Sequence, residues 1–117
     1  MPTAPDIFYD KRPWGEEYWF KGEKPSMTKI IKVKPGESLS LQFHDQRDEY
    51  WYIISGDGNA EIGEERLELA SGVSCFIPRK MTHRLRGGKE SLVLLEMAFG
   101  HFDEQDIVRL EDKYGRV

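Results

Sequence analysis

Short runs of β-branched and aromatic residues, separated by glycine, proline and charged pairs, recur along almost the whole chain. Such runs are typical of the strands of sandwiches and barrels, and apolar residues at helical spacing are nearly absent before the C-terminus. The pattern therefore predicts an all-β fold. A length of 117 residues with 38% hydrophobic content suits one compact domain with a single core.

Turn chemistry divides the chain into nine predicted strands. Pairs such as Pro35-Gly36 and Gly63-Glu64 supply the fixed or positive φ angles that connections between strands need. The predicted strands are 16–20, 28–33, 38–44, 49–55, 59–62, 65–69, 73–77, 83–86 and 92–98.

The C-terminal part of the chain has a different signal. Asp103 is an N-cap candidate with Asp106 three residues later, and Ile107, Val108 and Leu110 follow, which predicts a short helical segment. The domain prediction is a single domain over 1–117, with a core at about 27–99, an N-terminal arm at 1–26 and a C-terminal segment at 100–117.

Polar side chains converge in the middle of the chain. Alternation along the third predicted strand places Gln42 and His44 on one face and Leu41 and Phe43 on the other. If the charged loop that follows closes a hairpin, His44 and Glu49 lie opposite each other with their side chains on a shared face. Three potential metal ligands would then meet.

The opposite face of this predicted hairpin is apolar and needs a cover. Tyr50, Tyr52 and Ile54 would lie beside Leu41 and Phe43 there. A second subunit is the simplest cover, which predicts a homodimer.

The spacing of these residues resembles that of the cupin motifs. The first motif is matched by Gly36, Gln42, His44, Glu49 and Gly56, with glutamine in place of its first histidine, and the second is matched by Gly72, Pro78 and His83. The resemblance implies a cupin double-stranded β-helix, a jelly-roll barrel, with one divalent metal ion. Its implied ligands are Gln42, His44, Glu49 and His83.

The glutamine variant and several further segments resemble the type II mannose-6-phosphate isomerase domain. The matching segments are 12–15, 33–42, 82–85, 106–109 and 114–116, together with the single residues Arg47, Glu49 and Trp51. The resemblance implies an aldose-ketose isomerase that interconverts mannose 6-phosphate and fructose 6-phosphate or a related sugar phosphate. In that family the domain usually follows a guanylyltransferase domain, whose residues are not seen before this one, so a free-standing domain is implied.

The ligand chemistry suits several metals. An amide oxygen, two imidazoles and a carboxylate form a borderline-hard site for Zn, Mn, Fe, Co or Ni, and the resemblance favours zinc. A bound metal would stabilise the oxyanion of an enediol during isomerisation. The catalytic base stays unassigned, because His101, Glu111 and Asp48 are placed only by loops or by the C-terminal segment.

Three cationic residues are the predicted substrate ligands. Arg47 lies in the loop of the predicted hairpin and Lys80 in the turn before His83, near the expected barrel mouth, where each could bind the phosphate. Arg109 matches the C-terminal pattern of the isomerase family.

The family commonly has histidines where this chain has Asp45, Gln46 and Tyr50. Two other functions therefore stay open. One is a metal-dependent cupin oxygenase, which would need redox-active iron. The other is a non-catalytic module that binds a sugar or another small ligand.

Composition excludes some partners. The net charge of −4 argues against general binding to nucleic acid, which depends on clustered lysine and arginine. Cys75, the one cysteine, lies in an apolar run and is expected to be a buried thiol. The sequence shows no apolar stretch that could span a membrane and no signal peptide, which predicts a cytoplasmic protein.

Overall fold

The computed structural model describes residues 4–116 and contains eleven strands and no helix within that range. The all-β prediction is confirmed for this part of the chain, and the four remaining residues of the predicted domain lie outside it. The strands are β1 Asp6–Arg12, β2 Gly15–Lys21, β3 Met27–Val33, β4 Leu41–Phe43, β5 Arg47–Ser55, β6 Asp57–Ile62, β7 Glu65–Ala70, β8 Ser74–Ile77, β9 His83–Gly87, β10 Leu92–Gly100 and β11 Val108–Glu111.

Nine of these strands form two facing sheets, in the orders β3-β10-β5-β8 and β11-β4-β9-β6-β7. From β3 onwards the chain changes sheet at every connection except the β6–β7 hairpin, as in a jelly roll. The β5–β6 crossing depends on Gly56, whose φ is 88° and where a Cβ atom would stand 1.8 Å from the Ser91 carbonyl oxygen. Only glycine fits this crossing.

The hydrophobic core lies between the sheets. Alternation along β5 points Trp51 and Ile53 inward, where they pack with Leu85 of β9 and Leu94 of β10. All four side chains are at most 2% exposed. Glu49 lies two residues before Trp51, so its side chain also projects from the inward face of β5.

The outer face of the four-stranded sheet is covered by the N-terminal hairpin. Tyr50 and Phe99 form a second apolar cluster there, and Ile7 of β1 and Phe20 of β2 pack against it. The Phe20 ring stands 5.2 Å from that of Tyr52, edge to face. This face therefore does not by itself require a second subunit, and the homodimer stays a prediction.

The predicted hairpin between the third and fourth predicted strands does not form. β4 pairs with β9 and β11, whereas β5 pairs with β8 and β10 in the other sheet. His44 and Glu49 nevertheless approach each other, because the two sheets face one another across the interior. The predicted pairing and shared hairpin face were wrong, although the two side chains do approach each other.

The predicted C-terminal helical segment was also wrong. Asp103 does accept a hydrogen bond from the Gln105 backbone N–H, at 2.9 Å, as an N-cap would. The chain then leaves this turn, and β11 pairs with β4 through Val108, Arg109 and Glu111. The free edge of β4 supplies backbone partners that outweigh the local helical signal.

The strand β1 was not among the predicted strands, and it pairs along its whole length with β2.

None of the residues from 4 to 116 belongs to a helix with the length and apolar character needed to cross a membrane.

Candidate metal centre

Four predicted ligands come from three strands at one end of the barrel interior. Gln42 lies in β4 and His44 directly after it, while His83 opens β9 and pairs with Gln42 across the sheet. Glu49 projects towards them from β5 of the facing sheet. The pairing of two neighbouring strands and the closeness of the opposite sheet thus bring together residues that are up to 41 positions apart.

The distances are those of a compact donor group. Glu49 Oε2 lies 3.4 Å from His44 Nε2, and Glu49 Oε1 lies 3.5 Å from His83 Nε2. One donor atom from each of these three residues lies within 4.8 Å of the others. Gln42 stands at the edge of this group, with its Nε2 atom 3.4 Å from His44 Nε2. Rotation of its amide by 180° would turn Oε1 towards the other donors.

Backbone carbonyls orient both imidazole rings. His44 Nδ1 lies 2.6 Å from the Asp106 carbonyl oxygen, and His83 Nδ1 lies 3.0 Å from that of Met81. A carbonyl only accepts, so each Nδ1 carries the proton and each Nε2 lone pair faces the interior. This second partner on the far nitrogen is the usual arrangement of a metal-binding histidine.

Burial controls the charges of the group. Loss of solvent lowers the pKa of His44, lowers that of His83 to about 4, and raises that of Glu49. Both histidines are therefore neutral at pH 7, as a metal ligand must be.

Two donor atoms have no hydrogen-bond partner among residues 4–116. They are Glu49 Oε1 and His83 Nε2, and both are fully enclosed. Such orphaned polar atoms are costly in a folded interior. A divalent cation would satisfy both, so this donor set fits a metal ion.

Arg47 lies much deeper than a loop residue at the barrel mouth. Its side chain is 7% exposed, and its Nε donates a hydrogen bond to Glu49 Oε2 at 3.1 Å. The guanidinium also donates to the Asp103 carbonyl oxygen and stacks on the Phe102 ring at 4.8 Å. Arg47 thus engages one oxygen of the Glu49 carboxylate and leaves the other to the donor group.

The other two predicted substrate ligands are placed differently. Arg109 lines a cavity of about 180 Å³ that also contains Gln42, His44 and Glu49. Lys80 is exposed, has a positive φ of 70°, and does not line this cavity. Its backbone N–H donates to the His44 carbonyl oxygen at 2.6 Å, so Lys80 supports the turn beside the site.

The cavity contains a second buried carboxylate, which sequence reasoning missed. Glu96 of β10 is 5% exposed and accepts a hydrogen bond from Trp51 Nε1 at 3.0 Å. Lys29 Nζ of β3 lies 3.3 Å from its other oxygen. Burial, followed by the nearby Glu49 charge, raises the pKa of Glu96. The available signal was a single acid inside the apolar strand 92–98.

None of the three base candidates suggested by the sequence faces this cavity. His101 is exposed, and Glu111 is exposed and pairs with Arg84. Asp48 is buried, but it points to the opposite side of β5 from Glu49 and binds Arg79 at 3.1 Å.

The segment 101–111, which we call the strap, closes one side of the site. Asp106 is its central contact: besides its carbonyl bond to His44, its carboxylate accepts the backbone N–H groups of Asp45 and Gln46, each at 2.9 Å. These bonds to donors lower the pKa of Asp106 against the opposing effect of burial. A residue far along the chain therefore holds the loop that follows His44.

Comparisons with known proteins agree with this architecture. The family model described as mannose-6-phosphate isomerase C-terminal matches residues 7–112. The xanthan biosynthesis protein XanB of Xanthomonas campestris pv. campestris is 45% identical over 108 residues, and the mannose-1-phosphate guanylyltransferase ManC of Salmonella typhimurium is 41% identical over 108 residues. Each alignment covers 91% of this chain, but only 23% and 22% of those relatives.

A solved structure shows the same fold. A cupin protein from Bacteroides fragilis superimposes with a TM-score of 0.60 at 19% identity, over 72% of this chain and 76% of that protein. The prediction of a cupin barrel is confirmed in its overall architecture.

Proposed function

This chain belongs to the mannose-6-phosphate isomerase C-terminal family, and we propose that it is a metal-dependent aldose-ketose isomerase acting on mannose 6-phosphate, fructose 6-phosphate or a related sugar phosphate. The observation that carries the proposal is the buried group of Glu49, His44 and His83 donor atoms, with orphaned atoms directed at one point. This group lines or adjoins a cavity that contains a further carboxylate, so the residues for binding and for proton transfer stand side by side.

Gln42, His44, Glu49 and His83 would hold the ion, which we take to be zinc in the first instance. When bound there, a divalent ion would polarise the carbonyl and hydroxyl oxygens of the sugar. The chain contributes the orientation of both imidazoles and a site that is largely closed to water. Arg47 keeps the Glu49 side chain in one position through its hydrogen bond to Oε2.

The isomerisation moves one proton between neighbouring carbons. In the direction from mannose 6-phosphate, a base removes the C2 proton and returns it to C1, while the hydroxyl proton of O2 passes to O1 and the carbonyl moves from C1 to C2. We assign this transfer to Glu96, since Glu49 belongs to the donor group and Glu96 is the other buried carboxylate of the cavity. The hydrogen bond from Trp51 fixes one of its oxygens. The other oxygen lies 3.3 Å from Lys29 Nζ but accepts no hydrogen bond within residues 4–116, and it would be the one that meets the substrate.

Two of the predicted cationic residues remain in the proposal as substrate ligands. Arg47 and Arg109 line the cavity and bring positive charge to the walls that a sugar phosphate would contact. Lys80 is exposed and does not line the cavity, so it is not assigned a role in binding.

The test is conversion of mannose 6-phosphate to fructose 6-phosphate by the purified protein, with its metal identified beforehand. We expect His44→Ala to lose both metal and turnover, because one of the donors is removed. His101→Ala is the matched control, since this exposed histidine is outside the cavity and should leave both unchanged. Full turnover by His44→Ala would contradict the mechanism.

Glu96→Gln separates proton transfer from metal binding. We expect it to retain the metal and to lose turnover by about 10²- to 10⁴-fold, the usual contribution of a positioned acid or base. Oxygen consumption by the iron form without isomerisation would instead favour the oxygenase. Binding of sugar phosphates without turnover would favour a non-catalytic module.

A further inference from the structure

The two edge strands beside the cavity each contribute one cation to its lining. Lys29 lies in β3, the edge of the four-stranded sheet, and Arg109 lies in β11, the edge of the five-stranded sheet. Both side chains line the cavity to which His44, Glu49 and Glu96 also contribute. The cavity is thus flanked by a positive charge from each sheet.

Both cations stand one strand outward from an inner polar residue. Arg109 pairs with Gln42 of β4, and Lys29 pairs with Glu96 of β10. Neighbouring strands are about 4.8 Å apart, so each long side chain can reach beyond the inner residues towards solvent. Gln42 and Glu96 thus form an inner level, where we place the reaction. Arg109 and Lys29 form an outer level, closer to the entrance of the cavity.

Neither cation is fully engaged within the described part of the protein. The Lys29 side chain is 48% exposed, and its single ion pair, with Glu96, lies at 3.3 Å without hydrogen-bonding geometry. Arg109 Nε is enclosed and has no hydrogen-bond partner among residues 4–116. An enclosed donor without an acceptor is costly, and an anion entering the cavity would supply the acceptor.

A hexose 6-phosphate has a matching shape. Its reacting carbons, C1 and C2, stand at one end of the open chain and its dianion at the other. With C1 and C2 beside Glu96 and the donor group, the phosphate would lie towards the outer level. Arginine binds phosphate oxygens through two parallel N–H bonds, and lysine adds a point charge.

We propose that Lys29 and Arg109 form an anion clamp that binds the phosphate of the substrate and sets the preference for phosphorylated over unphosphorylated sugars. The clamp rests on the proposed sugar-phosphate isomerase, because it assumes that the sugar reacts at the inner level. It adds Lys29, which the sequence did not single out, and assigns Arg109 a specific partner.

The experiment measures binding of mannose 6-phosphate and of mannose to the metal-loaded protein by calorimetry. We expect Lys29→Met and Arg109→Gln each to weaken binding of mannose 6-phosphate by about tenfold or more, the effect of losing a charged hydrogen bond. Binding of mannose should not change. Lys29→Arg and Arg109→Lys, which keep the charge, should recover part of the affinity.

The matched control is Lys32→Met, an exposed lysine of the same strand that does not line this cavity. It should bind mannose 6-phosphate like the wild type. Unchanged affinity in both Lys29→Met and Arg109→Gln, or a wild type that binds mannose as tightly as mannose 6-phosphate, would overturn the clamp. Selective binding without turnover would support the clamp and refute the isomerase, whereas turnover with unchanged affinity in both variants would do the reverse.

Discussion

The two ends of the barrel interior are built on the same strands and differ in chemistry. On β5 the inward side chains change from Ile53 at one end to Glu49 at the other, and on β10 they change from Leu94 to Glu96. All four of these side chains are buried, with at most 5% of their surface exposed. Burial alone therefore does not distinguish a structural core from a functional site. Buried polar atoms without a hydrogen-bond partner do distinguish them.

Trp51 marks the boundary between the two ends. Its ring packs in the apolar core and meets the His83 ring edge to face at 5.6 Å, while its Nε1 donates to Glu96. At the apolar end, burial of hydrocarbon stabilises the folded state. At the polar end, burial of groups that prefer water destabilises it. The two ends should therefore respond in opposite ways to substitution.

The largest effect on stability is expected at the apolar end. Ile53→Ala removes methyl groups from a side chain that is 0% exposed, and we expect it to lower the free energy of unfolding by about 2–5 kcal/mol. Denaturant unfolding of the metal-free protein measures this change. Ile54→Ala, at the next and exposed position, should cost less than about 0.5 kcal/mol. Equal costs at the two positions would break the distinction between the core and the surface.

An intermediate effect is expected where the strap supports the polar end. In Asp106→Asn, one side-chain oxygen can still accept a backbone N–H of Asp45 or Gln46. The other oxygen is replaced by an NH₂ group, which is a donor and would face the second N–H. We expect metal affinity to fall by about 10- to 100-fold, as when other residues that support a ligand are changed. Competition with a chelator, and the visible spectrum of the cobalt form, would measure it.

Asp45→Asn serves as the control for the strap, since it changes an exposed carboxylate of the same loop without removing the Asp106 side chain. It should bind metal like the wild type. If both variants bound metal equally well, the strap would have no influence on His44.

The smallest stability effect is expected at Glu96. Glu96→Gln removes a buried charge close to Glu49 and keeps an oxygen that can accept from Trp51. We expect the free energy of unfolding of the metal-free protein to change by less than about 1 kcal/mol, or to increase. A loss as large as that of Ile53→Ala would show that the polar end contributes to stability in the same way as the core.

Local patterns predicted much of the fold. Alternation and turn residues located β2, β3 and β5 through β10 to within a few positions, because those strands bury one face and are bounded by glycine or proline. The spacing of Gln42, His44, Glu49 and His83 also predicted a shared site, and the structure places these four residues side by side.

Long-range pairing could not be predicted in the same way. The residues between His44 and Glu49 suit a hairpin loop, and only the presence of β9 and β11 beside β4 shows that the chain changes sheet there. Glu96 was missed for a related reason, since its contacts with Trp51 and Lys29 come from two different strands. Each of these features depends on partners distant in sequence.

The bond from Asp106 to His44 joins residues 62 positions apart and has a consequence for the order of events during synthesis. The ribosome makes all four candidate ligands well before it makes the strap. A nascent chain that ends before residue 106 would have its imidazoles and carboxylate but no carbonyl to fix the first ring. Stable loading of an ion at the proposed site would therefore follow translation of the strap.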